Sequence, residues 1–469
     1  MGMSRREFHL LMTSAAAALA APRALSAPLK VRREINTLSA ADLDVYRAGV
    51  QAMKDLPTLD FRSWMYQAGV HGSPPAEAIG IPDASTYWRQ CQHGSSQFLS
   101  WHRWYTLFFE EIVRNLADDC HFTLPYWDCI ADNKLPLAVR QPANTTDNAL
   151  YDPTRWLELN TGIDGVFSLN TDFMDVIDFE EFADDISSNP HSTVHLAVDG
   201  NMRVVNTAAR DPLFWLHHCN IDRYWECWVR KGNGRVNPGA PWTDQTFPFH
   251  TLTGRREVIV GDGMRTADLG YTYDNLPCSD FGIVWQLPDW VRELVFERPA
   301  WRKPPIPDPP PWRAILELDD VTFGGTPKPL VLRRDQFLAA GGANANRVAI
   351  SLHDVEIPRN ESTRASMVEV ALVPDVKRAQ ARDLSGVKLI RSFGAFEVSV
   401  AQAHVEHHGM ANVITLELPS KARKALASAG EEFALLFYRR GVVQREGKAL
   451  PWDPKLPVAY AKSVRISVQ

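Results

Sequence analysis

The sequence is short of cysteine, of basic charge and of long apolar runs, and each shortage closes off a class of protein. Six Cys in 469 residues are too few for a disulfide-stapled scaffold. Lys and Arg number 50 against 56 Asp and Glu, a net charge of −6, and the pI is near 6.2. That unclustered acidic balance argues against nucleic acid as a partner. Past the N-terminus no run of about 20 apolar residues occurs, and the mean hydropathy is −0.23, so no membrane-spanning role is expected. Repeats and low-complexity tracts are absent as well. What is present is a hydrophobic share of 45%, enough for a proper core. At about 150 residues per domain the length suggests two or three domains. Fourteen His remain to be explained by where they sit.

The N-terminus reads as an address. Arg5 and Arg6 with Phe8 precede an Ala-rich apolar stretch at 10–21, and small residues follow at Ala24, Ser26 and Ala27. Twin arginine, modest apolar core and small-residue end are the marks of a Tat export signal, which makes residues 1–27 a signal peptide and the mature protein periplasmic or secreted. Residues 28–280 form a helical, aromatic-rich region. A linker follows at 281–311, Pro-rich and stiff over 303–311. Beyond it the apolar period falls to two: Val348, Ile350 and Leu352, then Ile414, Leu416 and Leu418, then Val464, Ile466 and Val468. Similar runs at 313–323, 328–335, 366–373, 387–400 and 432–438, with one helix at 421–429, predict an antiparallel β-sandwich over 312–469. The expected fold is a mainly α domain followed by a β domain.

Within the helical region the histidines fall into patterns. His191 and His195 are spaced i,i+4, which points both from one helix face; Asn189 is expected to cap that helix and Pro190 to open it. The residue after His191 is Ser192, so the glutamate base of the HExxH zinc proteases is missing. A second helix starts at Asp211-Pro212 and runs to about Gly232. It carries His217 and His218 amid apolar residues, where an imidazole without a partner is costly. Periodicity does not choose between the two. Asp222, one turn beyond His218, is placed to orient an imidazole. Upstream, Phe98, His102, Tyr105, Phe109, Ile112 and Leu116 recur at helical spacing, so His102 lies on a buried face. His93 is out of phase with it on a continuous helix and must precede the helix; Gly94 permits that break. His71, followed by Gly72, is the remaining His upstream. Three imidazoles thus stand on each side, with no carboxylate at ligand spacing. Nitrogen-only triads suit copper, zinc or nickel better than magnesium or calcium.

These residues resemble the tyrosinase / catechol oxidase family of type 3 dicopper proteins. The resemblance rests on HGSSQFLSWHRWYTLFFE ending at Glu110, on residues 189–195 and on DPLFWLHHCNIDRYW over 211–225. It spans roughly 30–275 and ends at Tyr271-Thr272-Tyr273, similar to the tyrosine motif that closes such domains. It implies two copper ions, the first held by His71, His93 and His102, the second by His191, His195 and His218. His218 is selected over His217 because the family ligand stands four before the Asp. Cys91-x-His93 matches the pattern that carries a Cys–His thioether in some members. Phe214 resembles the aromatic stacked over the site. Val205 stands at the position of a gate residue, where a small side chain leaves the entrance open.

The implied activity is polyphenol oxidation: o-diphenols become o-quinones while O2 is reduced to water. Monophenol hydroxylation has less support, since Ser192 stands where strong monophenol oxidases often carry Asn, and Leu196 offers no polar handle. Glu180, Glu181, Asp184 and Asp185 are the upstream carboxylates. The alternatives are an o-aminophenol oxidase and a haemocyanin-like oxygen carrier. Partners are small phenols and O2. The β domain resembles, more weakly, the C-terminal domain of plant polyphenol oxidases, which implies a shield over the site. His404, Glu406, His407, His408 and Met410 read as a solvated loop. Cys pairing and oligomeric state are not legible.

Overall fold

A computed structural model gives the fold. It describes residues 28–74, 77, 84–88, 90–155, 169–278, 312–324, 328–335, 348–357, 367–373, 376–377, 388–408, 412–418, 431–440, 444–445, 448–449 and 457–468. The expected signal peptide at 1–27, the whole expected linker at 281–311 and the expected helix at 421–429 lie outside the described residues.

The first part is built on helices. A short strand β1 (Lys30–Arg32) leads to α1 (Ala40–Asp55), started by a reciprocal capping box between Ser39 and Asp42. Helix α2 (Trp64–His71) is capped by Ser63, whose side chain accepts from the Tyr66 N–H. The long α3 (Phe98–Leu116) is buried along nearly its whole length. Then come α4 (Phe179–Ile186), a wide turn over Ser187–Ser192, and α5 (Thr193–Val198). Helix α6 (Pro212–Arg230) begins as its sequence predicts: Asp211 accepts from the Leu213 N–H and Pro212 fills the first turn. Helices α3 and α6 pack together, and α1 packs on α3. A hairpin of β2 (Thr246–Thr251) and β3 (Gly254–Ile259) follows, then β4 (Tyr271–Tyr273), which pairs in parallel with β1.

Buried charge locks this arrangement. Asp222 of α6 accepts from the Tyr271 and Tyr273 hydroxyls at 2.7 and 2.6 Å and from the Arg103 guanidinium of α3. Arg32 of β1 lies 2.8 Å from Glu110 and 3.7 Å from Asp222, and all these groups are almost fully buried. Asp222 therefore ties α3, α6 and the β1–β4 pair together, and it does not orient an imidazole as its spacing suggested. Removing one member of a buried pair strands the others, so Asp222→Ala is expected to cost about 3–5 kcal/mol. A fall in the urea unfolding midpoint of the full chain checks this, and an unchanged midpoint contradicts it.

The second part is a β-sandwich. Its strands are β5 (Arg313–Gly324), β6 (Lys328–Arg333), β7 (Val348–Glu356), β8 (Met367–Val373) and β9 (Lys388–Gly394). After helix α7 (Ala395–His408) come β10 (Val413–Glu417), β11 (Glu432–Arg440), the two-residue β12 (Gln444–Arg445) and β13 (Lys448–Ala449), and β14 (Pro457–Val468). Two four-stranded antiparallel sheets form, in the orders β10-β7-β14-β5 and β6-β11-β8-β9. Register puts Ile350 opposite Ile466, and Leu352 opposite both Val464 and Ile414. The alternating apolar residues thus line one inner face. Phe323 of the first sheet meets Phe393 and Phe437 of the second at 5.6 and 5.0 Å between ring centroids.

One element departs from expectation. The sequence predicts a strand over 387–400. The strand ends at Gly394 and the chain turns helical. The Gly394 N–H donates to Glu397 Oε2 at 2.7 Å, which stabilises the first turn. That helix runs on through His408, where a loop was expected. Its start packs two ways: Ala395 and Phe396 join the core of the helical part, while Val398 and Ala401 join the sandwich core. Among the described residues no helix is long and apolar enough to cross a membrane.

Candidate metal centre

Six histidines from five elements and the segment before α3 meet in one buried place. His71 is the last residue of α2; His93 precedes α3 and His102 lies in its second turn; His191, His195 and His218 come from the wide turn, α5 and α6. All six are at most 4% exposed. Gly94 has φ +62, and this left-handed residue lets His93 leave the line of α3 and reach the same site. Asn189 is extended (φ −139, ψ 117), the backbone of a residue that precedes a helix, and the chain turns helical again after it, which puts Pro190 and His191 in the first turn as the sequence predicts.

The rings form two groups. His71, His93 and His102 have centroids 5.1 to 5.4 Å apart. His191, His195 and His218 are separated by 4.7 to 5.8 Å. The groups touch where His102 and His218 stack at 4.2 Å. The ligand atoms of His191, His195 and His218 all lie within 4.8 Å of one another; so do those of His71, His102 and His218, and those of His71, Cys91 and His93. Cys91 is therefore beside His93, as a thioether would need. His217 is in none of these groups; its ring stacks on His191 at 5.6 Å.

Backbone carbonyls orient the rings. The Nδ1 atoms of His71, His102, His191 and His195 lie 3.0, 2.8, 3.1 and 2.7 Å from the carbonyl oxygens of Val205, Phe98, Ser187 and Met202. A carbonyl only accepts, so each Nδ1 carries the proton and each Nε2 carries a lone pair. Those four Nε2 atoms have no hydrogen-bond partner among the described residues, and neither ring nitrogen of His218 has one. Burial holds the imidazoles neutral: His102 and His195 fall to about 3, and His71, His191 and His218 lie well below the ordinary value. Neutral nitrogen lone pairs turned to a common centre, with no carboxylate in any group, are a donor set for copper or zinc. Gly72 supports the first group by close approach: a Cβ there would come within 2.4 Å of the Asn206 carbonyl oxygen.

The walls are aromatic. Phe214 lies 4.7 Å from the His71 ring and 4.2 Å from His218. Leu196 is fully buried, and Val205 is 1% exposed. The Val205 carbonyl lies 3.0 Å from His71 Nδ1, and its N–H donates to Ser399 Oγ of α7 at 3.0 Å, so α7 lies against the expected gate position. What stands over the site is Phe396. Its ring stacks on His195 at 4.1 Å and meets His191 at 5.3 Å and His93 at 5.6 Å. Beside it is a cavity of about 170 Å³ bordered by His93, Asp184, Ser192, Phe396, Glu397 and Val400. Ser192 donates to the Ser187 carbonyl at 2.9 Å and is hydrogen-bonded to Glu397, whose carboxyl burial pushes up. Phe396, Glu397 and Ser399 were missed by sequence reasoning. Their alternation with apolar residues signalled only a strand, and nothing in it pointed to the histidines.

Two triads of buried imidazoles inside a helical domain, with Phe396 of α7 lying over them, form a candidate histidine-only dinuclear metal centre. The comparisons with known proteins agree. The common central domain of tyrosinase matches residues 61–171 and 138–231. A tyrosinase of Hahella sp. is 33% identical over 52% of this chain and 63% of its own length. A chloroplastic polyphenol oxidase of Vicia faba is 28% identical over 53% of this chain and 48% of its own. The chain thus spans less than two thirds of these relatives. The structure of latent apple tyrosinase, 19% identical, covers 94% of this chain and 98% of its own with a TM-score of 0.58, a likeness of fold across both domains. Over its helical part the chain is similar to tyrosinases and polyphenol oxidases.

Proposed function

We propose that this protein is a type 3 copper polyphenol oxidase that oxidises o-diphenols to o-quinones while O2 is reduced to water. The observation that carries the reading is the paired set of buried imidazoles, with the Nε2 atoms of His71, His102, His191, His195 and His218 unpartnered among the described residues. His71, His93 and His102 would hold one copper ion, and His191, His195 and His218 the other. When bound, the copper pair supplies the acceptor for the two electrons of the diphenol and the site of O2 reduction.

The chain's own residues do the rest. The four carbonyl contacts keep Nδ1 protonated and Nε2 available, which fixes each ring before metal arrives. Phe214 forms an apolar floor against which an aromatic ring can lie, and the buried surroundings exclude water from the reacting oxygens. Ser192 and Asp184 border the cavity next to His93 and place polar groups near an incoming hydroxyl. Cys91 is positioned for a thioether with His93, which would fix that ring in place of a carbonyl. Helix α7 covers the approach through Phe396, so the intact chain is read as a latent form, and residues 1–27 as its export signal.

Copper titration with metal analysis tests the centre, and turnover tests the activity. Two copper ions per chain are expected, with catechol oxidised faster than L-tyrosine or o-aminophenol once the covering helix is displaced. A protein that holds two copper ions, has its C-terminal part removed and still leaves catechol unreacted would sink the catalytic reading and favour an oxygen carrier.

A further inference from the structure

The metal centre leaves two buried groups on the same helix system unused. Cys227 lies on α6, past His218, and is fully buried; Cys278 is 8% exposed and ends the described part of the helical domain. The two are far apart in sequence, yet their thiols lie beside each other and interact directly. No other two cysteines are so paired among the described residues. Cys129 accepts from the Asn220 side chain at 3.7 Å, Cys219 is bonded to Thr106, Cys91 sits by the histidines and Cys120 is exposed.

The contact is the last of a series. Tyr271 and Tyr273 bond Asp222; the Asn275 carbonyl accepts from Arg223 Nε at 2.5 Å; Cys278 then meets Cys227. Residues 271–278 therefore run down α6 from Asp222 to Cys227, held at three successive places. The register is set by groups other than the thiols, so the two sulfurs are brought together by the fold and not by chance.

We propose that Cys227 and Cys278 are a disulfide-forming pair that fastens the end of the catalytic domain to α6. The chemistry is thiol–disulfide exchange with a small or protein disulfide as oxidant. The Cys278 thiolate attacks the oxidant and releases one thiol, giving a mixed disulfide. Cys227 gives up its proton and attacks the Cys278 sulfur; the Cys227–Cys278 bond forms and the second thiol leaves. Two protons and two electrons pass from the pair to the oxidant. Cys278 is suited to attack first: it is the less buried, and its pKa is lowered by the adjacent Cys227 thiol against burial, with Arg230 and Arg223 helping. Burial raises that of Cys227. The bond would keep residues 271–278, with Tyr271 and Tyr273 on Asp222, in place after the chain beyond is cut or pulled away.

Peptide mapping of the full chain tests this. The protein is exposed to oxidised glutathione, unfolded in acid, alkylated and digested with trypsin, beside a reduced reference. The expected result is a cross-link between peptides 224–230 and 266–292, two hydrogens lighter than their sum, absent after reduction. Oxidation should raise the thermal unfolding midpoint by several degrees, reversibly, and Cys278→Ser should abolish that rise. Alkylation of both Cys227 and Cys278 after oxidation would overturn the proposal, as would either one cross-linked mainly to a different cysteine. The mapping reads the native protein, so it stands even if the variant fails to fold.

Discussion

His218→Ala is expected to lower catechol oxidation at least about a thousandfold, about 4 kcal/mol of transition-state stabilisation, and to reduce bound copper from two ions per chain to about one. His218 belongs both to the group with His191 and His195 and to the group with His71 and His102, and its ring stacks on His102 at 4.2 Å. Without it the second site keeps two imidazoles, one short of the three that hold the ion. His217→Ala is the control. His217 is equally buried and next in sequence, but it shares no ligand group, so its loss should leave two copper ions bound. Metal analysis with steady-state rates reads both variants. If His217→Ala loses copper while His218→Ala retains it, the assignment of the two rings is reversed.

Phe396→Ala should act in the opposite direction and raise kcat/KM for catechol in the intact chain about 10- to 100-fold. The ring is stacked on His195 and wedged toward His191 and His93. A buried Phe contributes about 1.5–3 kcal/mol, and that difference moves an open–closed equilibrium by about this factor. Even if α7 stays docked through Ser399 and Val205, removing the ring joins its space to the adjoining cavity of about 170 Å³. A cavity of about 150 Å³ holds a benzene ring, so single-ring catechols should gain most and larger polyphenols least. Cutting the chain within 281–311 and separating the C-terminal part should remove the difference between variant and wild type. Equal rates for the intact variant and intact wild type would show that Phe396 does not limit access.

The two predictions differ in how much of their basis could be read from the chain itself. The spacing of His191 and His195, the buried face that holds His102 and the cap-plus-proline start of α6 are local features, set by helical period and backbone capping. The sandwich was legible for the same reason: alternation at 348–352, 414–418 and 464–468 is a property of each strand alone. The partners of Asp222 were not legible. Its position beside His218 suggested an imidazole, but its two oxygens go to Arg103, Tyr271 and Tyr273, brought from distant segments. Residues 395–400 failed for a related reason. Their alternation satisfied a strand, and the contacts that favour a helix, with the helical domain on one side and the sandwich on the other, come from elsewhere in the chain.

The sequence by itself determined the helical and β halves and a histidine-only donor set, because period, capping and residue chemistry act over a few positions; the division into two triads, with His218 rather than His217, is what the family resemblance implied. Tertiary structure alone decided that the Val205 carbonyl orients His71, that Phe396 lies on His195, and that Cys278 meets Cys227. Each of these is a meeting of segments far apart in the chain, set by how whole elements pack rather than by the residues on either side.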